Sequence, residues 1–228
     1  MTAPPTPPRI VALADLADAY RVPDYMPADW RILVVPGDLR VDGDLQLEWD
    51  RPNGNAHPPR HDWRDAAGCP PDEAIDGIAI EGSLHVGGAI ISHWAGPMLL
   101  VREHLRARSL IAGGAFIRIR GDADVTDTVL GHTNHGELYI DGTATAPLLI
   151  WDDHFFNAAT INAPYTFDTR AAAWEDWGYD DDLDGYPVPE QLKPVLREEF
   201  GCWDEVLDAL RAGKDVVKPD FRDQVSSG

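Results

Sequence analysis

The chain has 228 residues, 44% of them apolar, which suits one large packed domain and excludes wholesale disorder. Thirty-nine Asp and Glu face nineteen Lys and Arg, a formal charge of −20. This excludes nucleic acid and anionic membrane surfaces as direct ligands, because both require clustered cations, and it fits a basic protein partner or plain solubility.

No apolar run approaches the roughly 18 residues of a membrane span. The start, MTAPPTPPRIVALADLADAY, lacks the basic opening and long apolar core of a signal peptide. Cys69 and Cys202 sit in unlike contexts and give neither a disulfide framework nor a CxxC motif. The expectation is a cytoplasmic protein with buried thiols.

Residues 1–30 read as an N-terminal cap segment. Positions 1–9 are Pro-rich, the apolar residues from Ile10 to Tyr20 can share a helical face, and Pro23 and Pro27 end that pattern. Tyr25, Met26 and Trp30 are suited to covering the open end of a stack.

From Arg31 onward one phrase recurs. It reads VVPGDLRVDGDL at Val34, IAIEGSLHVGGAI at Ile78, LLVREHLRARSLI at Leu99, IRIRGDADVTDTVL at Ile117 and LYIDGTATAPLLI at Leu138. The turn positions are Gly37, Gly82, Glu103, Gly121 and Gly142, the last four separated by 21, 18 and 21 residues. Recurrence at a near-fixed period is the mark of stacked repeats. Alternation such as Leu39, Val41 and Leu84, Val86 turns one face inward, and a unit this short buries that face only by stacking on its neighbours. Gly at the turn admits positive φ, and an adjacent Asp or Ser bonds the local backbone. The fold class is mainly β: a parallel β-solenoid (β-helix) of about five coils over 31–156, with a small α-helical C-terminal cap. An antiparallel sandwich or barrel, whose strands also recur between turn signals, is the alternative.

A stretch dense in Pro, Gly, Asp and His interrupts the repeat at 48–77, with Trp49 and Trp63 as possible anchors to the body. It is either a binding loop on one flank or a tolerated surface insertion. Beyond Trp151 the alternation fades, and 157–228 reads as an acidic, partly helical C-terminal cap. Two short helices are expected there. Leu192, Val195, Leu196 and Phe200 form one stripe, and Trp203, Val206, Leu207 and Leu210 form another. Gly201 and Gly213 mark the helix ends.

Two constellations can carry chemistry. His132 and His135 in GHTNHGELY, His154 in WDDHFF and His93 in ISHWAG fall near corners of neighbouring coils. With Asp152 and Asp153 they compose a conceivable zinc set, against the blander reading of imidazoles satisfying corner backbone. The run WEDWGYDDDLDGY at 174–186 is an acidic, aromatic surface for Lys and Arg, a cover for the solenoid end, or an oxygen-rich calcium loop without EF-hand spacing. No GxSxG, P-loop or dinucleotide fingerprint is present, and no cofactor is implied.

PGDLRVDGDLQL, EGSLHVGGAI and RGDADVTDTV resemble the repeats of bactofilin-like, polymer-forming β-helical proteins over roughly Arg31–Ile150. The insertion at 48–77 and the acidic C-terminus depart from that pattern. Together with GHTNHGELYIDG, WDDHFF and VLDALRAGKDV, the chain looks more like bacterial solenoid proteins of the polymorphic-toxin immunity type. That resemblance implies a non-enzymatic inhibitor that occludes the active site of a basic toxin, such as a nuclease or other nucleotide-handling enzyme. The expected contact residues are Asp152, Asp153, Trp174, Asp176, Trp177, Tyr179, Asp180, Asp181 and Asp182. A self-assembling structural β-helix is the first alternative. A metal-dependent or glycan-active enzyme built on His132, His135, His154, Asp152 and Asp153 is the second.

Overall fold

The computed structural model describes residues 7–47, 61–69, 73–92, 96–132, 136–152, 154–168 and 187–225. The repeat winds as a parallel β-solenoid with three strands to a turn. Complete turns are β2–β4 (Arg31–Val35, Leu39–Val41, Leu45–Gln46), β6–β8 (Gly77–Ile80, Leu84–Val86, Ala89–Ile91), β9–β11 (Met98–Val101, Leu105–Ala107, Ser109–Ala112) and β12–β14 (Phe116–Ile119, Ala123–Val125, Thr128–His132). In the next turn a single strand, β15 (Glu137–Thr145), runs through two faces, pairing with β12 and with β13, before β16 (Leu148–Asp152) closes the third. A last rung, β17 (Phe155–Asn162) and β18 (Tyr165–Asp168), pairs in parallel with β15 and β16. The winding thus runs past the expected limit at 156 to Asp168.

The recurring turn positions stack as the spacing predicts. Each N–H donates to the carbonyl one coil back: Gly82 to Gly37 at 2.9 Å, Glu103 to Gly82 at 3.2 Å, Gly121 to Glu103 at 2.8 Å and Gly142 to Gly121 at 3.1 Å. Inside, aliphatic side chains form columns along the axis. One runs Leu33, Ile78, Leu99, Ile117, Leu138. Another runs Leu39, Leu84, Leu105, Ala123, Ala144, so this side narrows toward the later coils. Nearly all are fully buried, and each such Leu or Ile contributes roughly 1.5–3 kcal/mol by leaving water.

The reason for glycine differs between corners. Gly37 and Gly43 have positive φ, of 74° and 104°. Gly82, Gly88 and Gly142 do not; there a Cβ would collide with the carboxylates of Asp38, Asp44 and Asp122 from the coil below. Each carboxylate reaches past the glycine to accept the next N–H: Ser83 from Asp38 at 2.9 Å, Ala89 from Asp44 at 2.8 Å and Thr143 from Asp122 at 2.8 Å. The acid bonds the neighbouring coil, not its own turn.

The three outer faces differ. The first, on β2, β6, β9 and β12, presents Ile32, Val34, Ala79, Leu100 and Phe116 outward, and the N-terminal segment covers it with Leu13, Leu16, Tyr20, Met26 and Trp30. This segment was expected to close the end of the stack as a helix. Instead β1 (Arg9–Ala12) pairs antiparallel with β2, and the helical part is short, a 3-10 turn at Leu13–Asp15 followed by α1 (Ala17–Tyr20). The Tyr20 hydroxyl donates to the Ile80 carbonyl at 3.0 Å, and burial, then Glu81, push its pKa up to about 12. Asp141 holds Arg118 at 2.6 Å and Arg120 at 2.7 Å, while those guanidiniums donate to the carbonyls of Arg21 and Ala19 and clamp α1 in place.

The third face carries Ile91, Ile111, Leu130 and Ile150 outward and is covered by the C-terminal part. Its α3 (Trp203–Arg211) matches the second predicted helix, with Gly213 at φ 67° just past its end. The first predicted helix is absent: 190–195 is a series of turns and Leu196 bridges antiparallel to Val217. Pro194 is the cause, since it lacks an N–H and bars its predecessor from helical geometry. A further helix, α4 (Pro219–Val225), begins on proline.

The second face is polar outward, with Arg40, His85, Arg106, Asp124 and Thr145 in register, and Arg40 and Arg106 are exposed. The described end of the insertion closes the first coil. Its β5 (His61–Asp62) pairs parallel with β4 opposite β8, α2 (Trp63–Ala66) follows, and Ala67 and Ile75 join the core.

Candidate functional site

The histidine corner lies between the third and first faces. His132 is buried at the end of β14, in register with Asp152 on β16. His154 points inward with Nε2 at 3.2 Å from the Gly113 carbonyl oxygen, to which it donates. Gly131 and Gly136 make room for the ring: a Cβ there would lie 2.7 Å from its Nδ1 and 2.6 Å from its Nε2. Burial holds the His154 pKa below the usual imidazole range, so the ring is neutral at neutral pH. The partner of Nε2 is thus a backbone carbonyl. Among the described residues no three His, Cys, Asp or Glu side chains are grouped to hold a metal ion. His93, His135 and Asp153 lie outside the described residues, as do Trp174, Asp176, Trp177, Tyr179, Asp180, Asp181 and Asp182.

A second cluster binds the C-terminal cap to the solenoid. Asp44, Arg108, Asp215, Arg222 and Asp127 alternate in one chain. Arg108 bonds Asp44 at 3.2 Å and Asp215 at 2.9 Å, and Arg222 bonds Asp215 at 2.7 Å and Asp127 at 2.9 Å. Asp127 is fully buried and also accepts from the N–H groups of Val216 and Val217. Burial raises its pKa against those bonds and Arg222. Burial also pushes Asp215 up, but Arg222 and Arg108 outweigh it and hold its pKa low. A cleft of about 790 Å³ beside this seam is lined by Arg108, Arg197, Lys214, Glu205, Asp208 and Asp215 among others. With Arg108 and Asp215 committed to each other, it is the groove of a docked cap.

The third cluster is at the late end of the stack. Glu137, at the start of β15, accepts hydrogen bonds from the hydroxyls of Tyr25 and, at 2.8 Å, Tyr139. Rings ascend the first face as Phe116, Tyr139 and Phe155, with centroids 5.6 and 5.1 Å apart, and Arg118 lies 4.8 Å over the Tyr139 ring. The column ends at Phe155. β17 pairs with β15 on one edge, and among the described residues nothing pairs with its other edge. Below this rim the N-terminal cover exposes Asp15, Asp18, Asp24 and Asp29. The sequence reading passed over this cluster because FFNAATIN lacks the Gly-Asp turn, and because Tyr25 and Glu137 are far apart in the chain. Acid and aromatic residues were sought in one run, and the fold assembles them from three segments.

Comparison with protein-family models, with curated proteins and with solved structures finds no match for this chain.

Proposed function

We infer that the chain is an immunity-type binding protein, a stiff acidic body that neutralises a basic bacterial toxin by covering its active site. The observation that carries this reading is how its cations are used. Arg9 pairs with Glu81, Arg31 with Glu73, Arg118 and Arg120 with Asp141, and Arg108 and Arg222 with Asp215. These six arginines hold covers onto the solenoid, while Arg40, Arg102 and Arg106 stay exposed, and described carboxylates such as Asp15, Asp18, Asp24 and Asp29 face outward on a chain of charge −20. Such a surface draws a basic partner by steering and competes with a phosphate ligand for its cleft. The repeat phrases and C-terminal motifs that resemble immunity-type solenoid proteins support the same reading. Self-assembly is less favoured, because like-charged bodies of this size repel.

The test is affinity capture with the product of the adjacent open reading frame. A complex that forms at low salt and weakens steeply as salt rises is expected. Failure to form any complex at low salt contradicts the reading.

A further inference from the structure

Among the described residues the exposed large hydrophobic side chains are Tyr25, Phe155 and Ile161, at 64%, 50% and 43%. They come from distant parts of the sequence and all lie at the late end of the stack, Tyr25 and Phe155 at the first face and Ile161 at the second. Tyr25 bonds Glu137 on β15, and Phe155 and Ile161 stand on β17, the strand that pairs with β15. Large apolar exposure confined to one end of a highly charged molecule points to a contact surface along that end.

Among the described residues the edge itself is unguarded. Natural edge strands are blunted by charge, most often lysine, or covered. Between Phe155 and Phe167 there is no Asp, Glu, Lys or Arg. The opposite end of the solenoid is treated differently: the chain's own β1 and β5 pair with the first coil. Glu137 meanwhile has two phenolic donors and no cationic partner among the described residues.

We propose that this rim is where the partner docks: an extended segment of a basic protein adds as a strand to the free edge of β17. It lays an apolar side chain against Ile161 and sets a lysine or arginine between Phe155 and Glu137. Strand addition gives affinity through the backbone row, and the two side-chain positions give selectivity. A cation over an aromatic ring and beside a carboxylate gains from both. The basic partner is favoured over a second copy of this chain, which brings another charge of −20 and a strand with no cation for Glu137.

The inference rests on the inhibitor reading and is tested apart from it. Amide hydrogen exchange is followed in the full chain at low salt, alone and with a synthetic peptide alternating lysine and valine or its glutamate counterpart. The lysine peptide should slow exchange of amides within Phe155–Asn162 by about tenfold or more, and the glutamate peptide should not. Ile161→Lys and Phe155→Ser should abolish the effect while the chain stays folded, with a melting temperature within about 5 °C of wild type, and Glu137→Gln should weaken it. The proposal is overturned by no protection, by equal protection from both peptides, or by an edge already protected in the free monomer. Protection that grows with protein concentration without peptide also overturns it, because a second copy is then the occupant. A toxin complex indifferent to Ile161→Lys and Phe155→Ser would sink this surface and leave the inhibitor reading standing. Peptide addition at β17 with no toxin complex would do the reverse.

Discussion

At the corner after the first strand of each turn, side chains from successive coils form a ladder of their own. Ser83 N–H donates to Asp38, His104 N–H to the Ser83 hydroxyl at 3.4 Å, Asp122 N–H to His104 Nδ1 at 3.1 Å, and Thr143 N–H to Asp122. Asp, Ser and His share one property here, an acceptor within reach of the coil above. His104→Ala should therefore lower unfolding free energy by about 1 kcal/mol, whereas His104→Asn, which keeps an acceptor, should cost little in urea titrations. Asp127 gives a pH-dependent counterpart. Burial raises its folded pKa above the unfolded value, so its contribution is complete below the unfolded pKa and is lost as pH rises through the folded one. Relative to wild type, Asp127→Asn should be more stable at about pH 7 than at about pH 4. The opposite sign would mean that Arg222 outweighs burial. The sequence told that Gly-Asp pairs make corners; it did not tell that the acid serves the next coil, because that contact joins residues about twenty or more apart.

At the scale of elements, legibility followed periodicity. The winding from β6 to β16 could be read because its corners repeat at a near-constant interval and its inner columns keep one register. β17 escaped because it carries no glycine corner and its alternation shifts where β15 opposite it is irregular, between Ile140 and Thr143. Pro194 removed a helix that the apolar stripe alone predicted. β5 lay inside an interruption that read as loop, since two residues cannot show a period. The tapering column yields a test of the packing. Leu105 is fully buried between Leu84 and Ala123. Leu105→Ala should cost about 3 kcal/mol, a lost side chain plus a cavity that rigid rungs cannot close, read as a shift of the urea midpoint at constant slope.

For the whole molecule, two apolar outer faces explain both appendages. Ending the chain after Asp168 would uncover Ile91, Ile111, Leu130 and Ile150. That truncated chain should bind a hydrophobic dye and aggregate in light scattering; a well-behaved monomer would show that the C-terminal cover is dispensable. Ion pairs such as Arg118–Asp141 and Arg222–Asp215 hold the two covers in place, and Arg40 and Arg106 stay exposed on the uncovered second face. No helix among the described residues is long and apolar enough to cross a membrane. What separates this account from its enzymatic rival is stoichiometry. The most direct measurement is residual activity of the adjacent-gene product titrated with this chain. The account predicts activity falling in proportion to added protein and vanishing at equimolar ratio, with the endpoint lost at high salt. Complete inactivation by a small fraction of an equivalent would show turnover and contradict it.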